Sequence, residues 1–249
     1  MGLNSMRKIR VLGWGAAALL LSGCSTTRDG LVYRAYHNMH AKYNGFFYAN
    51  EAMEEADQVL YEGYKENWDE ILPVFPPVDE STAQQVYPLM ERAIEKCTKV
   101  VDEHTMSPSR REQKDLKRPE LNKWIDDNYD VIARAHLIKG EKEKALEVFQ
   151  YLTRTLDYPD AQAWSNAWMA RTYMAMDDKV RASNTLIKAA QTKRVEDPEV
   201  MVYVHEVYAA FHLKYEDIEA AIEQLEEAMD FVEKKKDYAR LLFILAQCY

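Results

Sequence analysis

His37 and His40 stand three residues apart in a stretch of helical periodicity, a spacing at which two imidazoles can reach one metal ion. No third ligand follows at a fixed spacing and tyrosines surround the pair, so it reads as helix surface; no metal and no cofactor are expected. Glu54-Glu55 and Asp126-Asp127 are adjacent carboxylates, which point in different directions on a helix and make no acid/base pair. Cys97 falls on the apolar stripe Val86, Met90, Ala93, Cys97, Val101, and Cys248 lies beside Ala246; both read as small buried hydrophobes rather than nucleophiles. Three cysteines this far apart form neither a disulfide scaffold nor a zinc site. The chain has no Gly-rich phosphate loop, no Gly-x-Ser-x-Gly turn and no His-Glu-x-x-His. Binding, not catalysis, is the expected activity.

The formal net charge is −9, and the basic Arg7, Lys8 and Arg10 precede residue 24, so the remainder is more acidic still. A phosphate backbone requires a clustered positive surface, and nucleic acid is therefore not an expected partner. The one basic run, Arg110-Arg111 to Lys117-Arg118, is interleaved with Glu112 and Asp115 and reads as a solvated loop. Few glycines and prolines, with abundant Ala, Glu, Lys, Leu and Met, predict an all-α chain with short turns.

The elements that position any binding residues recur. In Gly140-Glu141-Lys142-Glu143-Lys144-Ala145-Leu146-Glu147-Val148-Phe149 a turn leads into a helix with a small residue and then an aromatic four places on. Asp177-Asp178, Ala182, Leu186 and Ala189 repeat the pattern, as do Ala221, Leu225 and Ala228. Twelve residues upstream of each leading alanine lies another, Ala133, Ala170 and Ala209, so each unit has two helices that touch through small side chains. Tyr129, Ile132, Ala133, Ala145 and Phe149, then Met169, Ala170, Tyr173, Ala182, Leu186 and Ala189, resemble the tetratricopeptide frame of about 34 residues, here lengthened by a few per unit.

That resemblance implies helical hairpins stacked into a right-handed superhelix, an α-solenoid, over residues 119–249. In such repeats the first helix of each unit lines a concave groove. The positions in frame are Asp127, Asp130 and Arg134, then Trp164 and Arg171, then Tyr203 and Glu206, a set whose aromatic and Arg members are typical partner anchors. Packing of Trp164 and Tyr203 between neighbouring units is the competing expectation. Residues 238–249 match the first helix of a further unit, so the chain reads as an amino-terminal fragment truncated inside a repeat, with Leu241 to Leu245 expected to be exposed.

Residues 1–23 read as an export signal: a short basic stretch, an apolar core from Val11 to Leu21 too short to span a bilayer comfortably, and Leu21-Ser22-Gly23-Cys24. The ending resembles the bacterial lipobox, which implies lipid attachment at Cys24. Residues 24–30 would be the lipidated cysteine and a polar tether, and residues 31–118 an amino-terminal helical region, either a divergent repeat or a separate cap. The absence of acidic residues directly after Cys24 points to an outer-membrane site facing the periplasm.

Within 31–118, Tyr36, His40, Tyr43 and Phe47 share one helix face, and a second helix from Glu51 to Trp68 is expected to close a hairpin through Gly45 to Asn50. Pro73, Pro76 and Pro77 predict an extended path, Ser81 to His104 a further helix, 105–118 a loop, and Pro119 the start of the first repeat helix. Tyr36-His37-Asn38-Met39-His40-Ala41-Lys42-Tyr43-Asn44-Gly45-Phe46-Phe47, Ile71-Leu72-Pro73-Val74-Phe75 and Trp124-Ile125-Asp126-Asp127 resemble the opening of the gliding-motility and type IX secretion lipoproteins (the SprE/PorW-like family). The resemblance implies a lipid-anchored scaffold that links protein components of a secretion complex. Two other readings fit a lipoprotein with helical repeats: a component of outer-membrane β-barrel assembly, and a glycan- or nutrient-binding lipoprotein of the starch-uptake type.

Overall fold

The computed structural model describes residues 30–78, 80–232 and 235–249, and among these the regular elements are all helical. Helix α1 (Leu31–His40) passes through a π turn (Ala41–Phe46) directly into α2 (Phe47–Gly63), and an extended segment leads to α3 (Glu80–His104). Then come α4 (Ile125–Ile138), α5 (Lys142–Thr155), α6 (Pro159–Ala175), α7 (Lys179–Ala190), α8 (Pro198–Lys214), α9 (Ile218–Phe231) and α10 (Lys235–Cys248). Each helix from α2 to α10 packs on its neighbour in sequence, and α4, α6 and α8 also touch side by side, an arrangement compatible with an α-solenoid.

The turns inside the hairpins are built alike. Gly140, Asp177 and Glu216 occupy the left-handed region at φ 79°, 58° and 59°, each five residues before Ala145, Ala182 and Ala221. The following amides, of Glu141, Asp178 and Asp217, donate to His136 O, Tyr173 O and His212 O at 2.9, 2.9 and 3.0 Å. These are the paired C-terminal bonds that close a helix through a left-handed residue. Asp178 and Asp217 also cap the next helix, their carboxylates accepting from Arg181 N at 2.9 Å and Ala220 N at 3.3 Å. Ala133, Ala145, Ala170, Ala182, Ala209 and Ala221 are all completely buried, so the paired small residues do lie where helices approach closely.

The amino-terminal region differs from expectation in three places. No hairpin forms at Gly45–Asn50, because the rod continues through the π turn into α2. Gly45 serves close approach instead: a Cβ there would collide with the Val100 side chain of α3. Helix α2 ends at Gly63 rather than Trp68, and α4 begins at Ile125 rather than Pro119. Residues 119–124 are held as a loop, with Leu121 N bonding Met106 O at 3.0 Å and the Glu120 carboxylate accepting the Met106 amide. Helices α2 and α3 pair along buried Ala49, Ala52, Ala56, Val86, Met90, Ala93 and Cys97, and burial pushes the Cys97 thiol up to about 12, which keeps it protonated.

Candidate functional site

Five of the residues picked out by the repeat frame, Asp130, Arg134, Trp164, Arg171 and Tyr203, come together. Helix α4 contributes Asp130 and Arg134, whose Oδ2 and Nε lie 2.8 Å apart, one helical turn from each other. Trp164 of α6 donates its indole N–H to Asp130 Oδ1 at 2.8 Å, which joins the first two hairpins. Arg171, two turns along α6, donates to the Tyr203 hydroxyl of α8 at 2.9 Å and joins the second to the third. Trp164 and Tyr203 rings stand 4.6 Å apart, so both pack between units.

Two residues that sequence reasoning missed complete this box. Trp168 is buried, 5.0 Å from Tyr203 and 4.6 Å from the Arg171 guanidinium. Its place four residues after Trp164 on one helix face was the available signal. Phe75 comes from the extended segment between α2 and α3, and its ring centroid lies 4.0 Å from the Arg171 guanidinium and 5.8 Å from Tyr203.

That segment is a strap across α6, α8, α9 and α10. Leu72 and Val74 are buried against Ala209, Leu225, Leu241 and Ile244 from α8, α9 and α10. The Gln247 amide reads the strap's backbone from both sides, donating to Glu70 O at 2.7 Å and accepting Leu72 N–H at 3.0 Å. Arg240 donates to Pro73 O at 3.0 Å and pairs with Glu66. The expected exposure of Leu241 to Leu245 is therefore corrected: Leu241, Ile244 and Leu245 are buried beneath the strap, and only Leu242 and Phe243 face outward in part.

Electrostatics tie α2 to this set. Burial raises the Asp57 carboxyl of α2 above the usual range, with Arg134 and Arg171 acting in the opposite sense and Glu54 adding to the rise. Burial raises the Tyr61 phenol, with Arg240 acting in the opposite sense and Asp57 and Glu206 adding to the rise. Glu206 is half-buried in the same space. Asp127 sits behind this set; burial first, then Asp126 and Asp130, push its carboxyl up to about 7. Asp126 is committed elsewhere, accepting from Tyr158 OH at 2.7 Å and Arg118 at 3.3 Å. Beside it a cavity lined by Arg118, Glu120, Tyr129 and Tyr151 holds about 10 Å³, room for a single water and far below the ~300 Å³ at which small-molecule sites begin.

His37 and His40 acquire His104 as a neighbour, but the Nδ1 atoms of His37 and His104 bond to each other at 2.8 Å. Among the described residues no group of His, Cys, Asp and Glu is arranged to hold a metal ion, and no helix is long and apolar enough to cross a membrane. Cys24, the export signal and most of the tether lie outside the described residues. A scan against protein-family models finds no match to this chain, and neither does a search of curated proteins.

Proposed function

We propose that this chain is a lipid-anchored, non-enzymatic tetratricopeptide scaffold, a right-handed superhelix facing the periplasm from the outer membrane, which links protein components of the type IX secretion and gliding-motility machinery. One observation carries the binding part of this reading: α6, α8, α9 and α10 hold an extended polypeptide, the strap, by the means such scaffolds use for partners. Gln247 and Arg240 bond the strap's backbone, Leu72 and Val74 fill apolar gaps, and Phe75 lies against Arg171. The occupant here is the chain itself. Partner segments therefore meet the strap's outer side and the surrounding Asp57, Tyr61, Arg134 and Glu206, or take the strap's place.

The secretion assignment rests on the lipobox-like Leu21-Ser22-Gly23-Cys24 and the family-like opening residues. Crosslinking of the tagged protein in its own cells, followed by mass spectrometry, tests it. Recovery of type IX core or motor components is the expected result, with loss of type IX cargo export in a deletion strain. Recovery of barrel-assembly factors or a TonB-dependent transporter, with normal export, overturns it.

A further inference from the structure

Helix α1 is attached to the rest of the fold without a core. None of its residues is buried, and burial begins only with Ala41 in the π turn. So short a helix that buries nothing does not hold by its own backbone bonds, and its polar contacts decide whether it stays in place. Arg34 pairs with Glu112 at 2.6 Å, and the Lys123 amide donates to Asn38 Oδ1 at 2.9 Å. Asn122, fully buried, donates its Nδ2 hydrogens to His37 O at 3.3 Å and His104 O at 3.0 Å. That bridge brings the two imidazoles together, and their Nδ1 atoms bond at 2.8 Å.

A third ring joins them. His40 stacks on His104 at 5.5 Å, and its own Nδ1 bonds the Asn44 amide at 2.7 Å. A bond between two Nδ1 atoms needs one of them to accept, so it survives with at most one of the pair protonated. The second proton removes it and sets two cations in contact, with His40 beside them. Among the described residues no carboxylate bonds any of the three rings. Tyr33 and Tyr36 of α1 lay neutral rings on His37 at 4.3 and 5.3 Å. On α3, Glu103 favours charge on His104 and Lys99 opposes it. Ser109 and Arg34 hold the Glu112 carboxyl down at about 2, so the Arg34–Glu112 pair keeps its charges throughout the range in which imidazoles titrate.

We propose that the contact of His37, His40 and His104 is a pH-operated latch, which holds α1 on the end of α3 while the rings are neutral and releases it when they are protonated. Burial lowers both His37 and His104, and the neighbouring imidazoles add to it, so the docked helix favours the neutral rings. Docking is complete above about pH 6.5 and is lost as the pH falls through the docked values. Release begins at the π turn, where the rod already departs from the α-helical bonding pattern. Helix α2 stays, because Ala49, Ala52 and Ala56 are buried against α3. The chain enters the described fold at α1, so the latch sets whether the array is coupled stiffly or loosely to what precedes residue 30. This holds whichever machinery the scaffold serves.

The test is hydrogen–deuterium exchange of the purified full chain, read by mass spectrometry at about pH 7.5 and about pH 5 and corrected for the intrinsic exchange rate. Amides of residues 31–40 are expected to lose protection about tenfold at the lower pH, while those of α6 to α9 keep theirs. Two variants separate imidazole charge from other effects of acid. His37→Asn with His104→Asn puts amides where the Nδ1 atoms bond, and its protection at 31–40 should be the same at both pH values. Lys99→Glu, at an exposed site, removes the cation that opposes charge on His104 and should lessen the acid loss. Equal protection of the parent at both pH values overturns the latch. So does an acid loss of parental size in Lys99→Glu or in the Asn pair, which places the pH dependence outside the imidazoles. A loss that α6 to α9 share overturns it too, since the whole chain is then unfolding.

Discussion

The Arg171 guanidinium lies 4.0 Å from the centroid of the Phe75 ring, so a cation on α6 is capped by a residue that enters from the segment between α2 and α3. The contact joins the second hairpin to a strap that also packs on α8, α9 and α10, and the strap thereby becomes a structural brace across three units. Leu72, 2% exposed, is its best-buried residue. Leu72→Ala is expected to cost about 3 kcal/mol in urea unfolding, within the range for a large aliphatic side chain lost from a core. It should also expose Leu241 and Ile244 and raise binding of a hydrophobic dye. An unchanged midpoint would mean the strap rests on the array without bracing it.

Gly45 offers a prediction whose sign decides between two explanations. Helix propensity alone favours Gly45→Ala by about 1 kcal/mol, since glycine is a poor helix former. The structure opposes this, because the new methyl would meet Val100 of α3 in a fully packed layer. The expected result is destabilisation by about 2 kcal/mol, the usual scale of overpacking, measured by thermal unfolding. Stabilisation would show that the rod and α3 are farther apart than described. Val100→Ala made together with Gly45→Ala should recover part of the loss.

The hairpin turns permit a matched comparison. Asp177 and Glu216 bear a side chain in the left-handed region at φ 58° and 59°, where Gly140 stands in the first unit. Asp177→Gly and Glu216→Gly should each raise stability by about 0.5–1 kcal/mol, and Gly140→Ala should lower it by about 1 kcal/mol. Thermal midpoints of the three variants check this directly.

These turns were legible in the sequence because they are local: a Gly or Asp-Asp before a small-residue helix identifies both the helix end and the next cap, and the bonds at Glu141, Asp178 and Asp217 repeat as the pattern does. Convergence of Asp130, Arg134, Trp164, Arg171 and Tyr203 was legible for the same reason, since frame position assigns the face. The strap was legible only as an extended path. Three prolines forbid a helix, but nothing near Leu72 says that its partner is Gln247 at the other end of the chain. Gly45 was misread because glycine in a turn and glycine at a close approach look alike until the neighbour, Val100, is known. Pro119 carried a helix-start signal that the Glu120–Met106 bond overrode.

Two opposed titrations should shape the pH dependence of stability. His37 and His104 are both lowered, chiefly by burial, and for both the neighbouring histidines add to it; Glu103 opposes the shift of His104 and Lys99 reinforces it. A lowered imidazole favours the fold when neutral, so this contribution is complete above about pH 6.5 and is lost as the pH falls through the folded values. Protonating both rings also destroys the bond between their Nδ1 atoms, which needs one acceptor. Asp127 acts the other way. With its carboxyl raised to about 7, the fold favours the neutral form, and that contribution is complete below about pH 4 and is lost as the pH rises towards 7. Urea unfolding at about pH 8 and about pH 5 separates the two through variants. Asp127→Asn should be more stable than the parent by roughly 2 kcal/mol at pH 8 and closer to it at pH 5. His104→Gln should lose less than the parent on acidification. If both variants track the parent at every pH, neither group titrates differently in the folded and unfolded chains, and the packing of α1 on the end of α3 does not depend on imidazole charge.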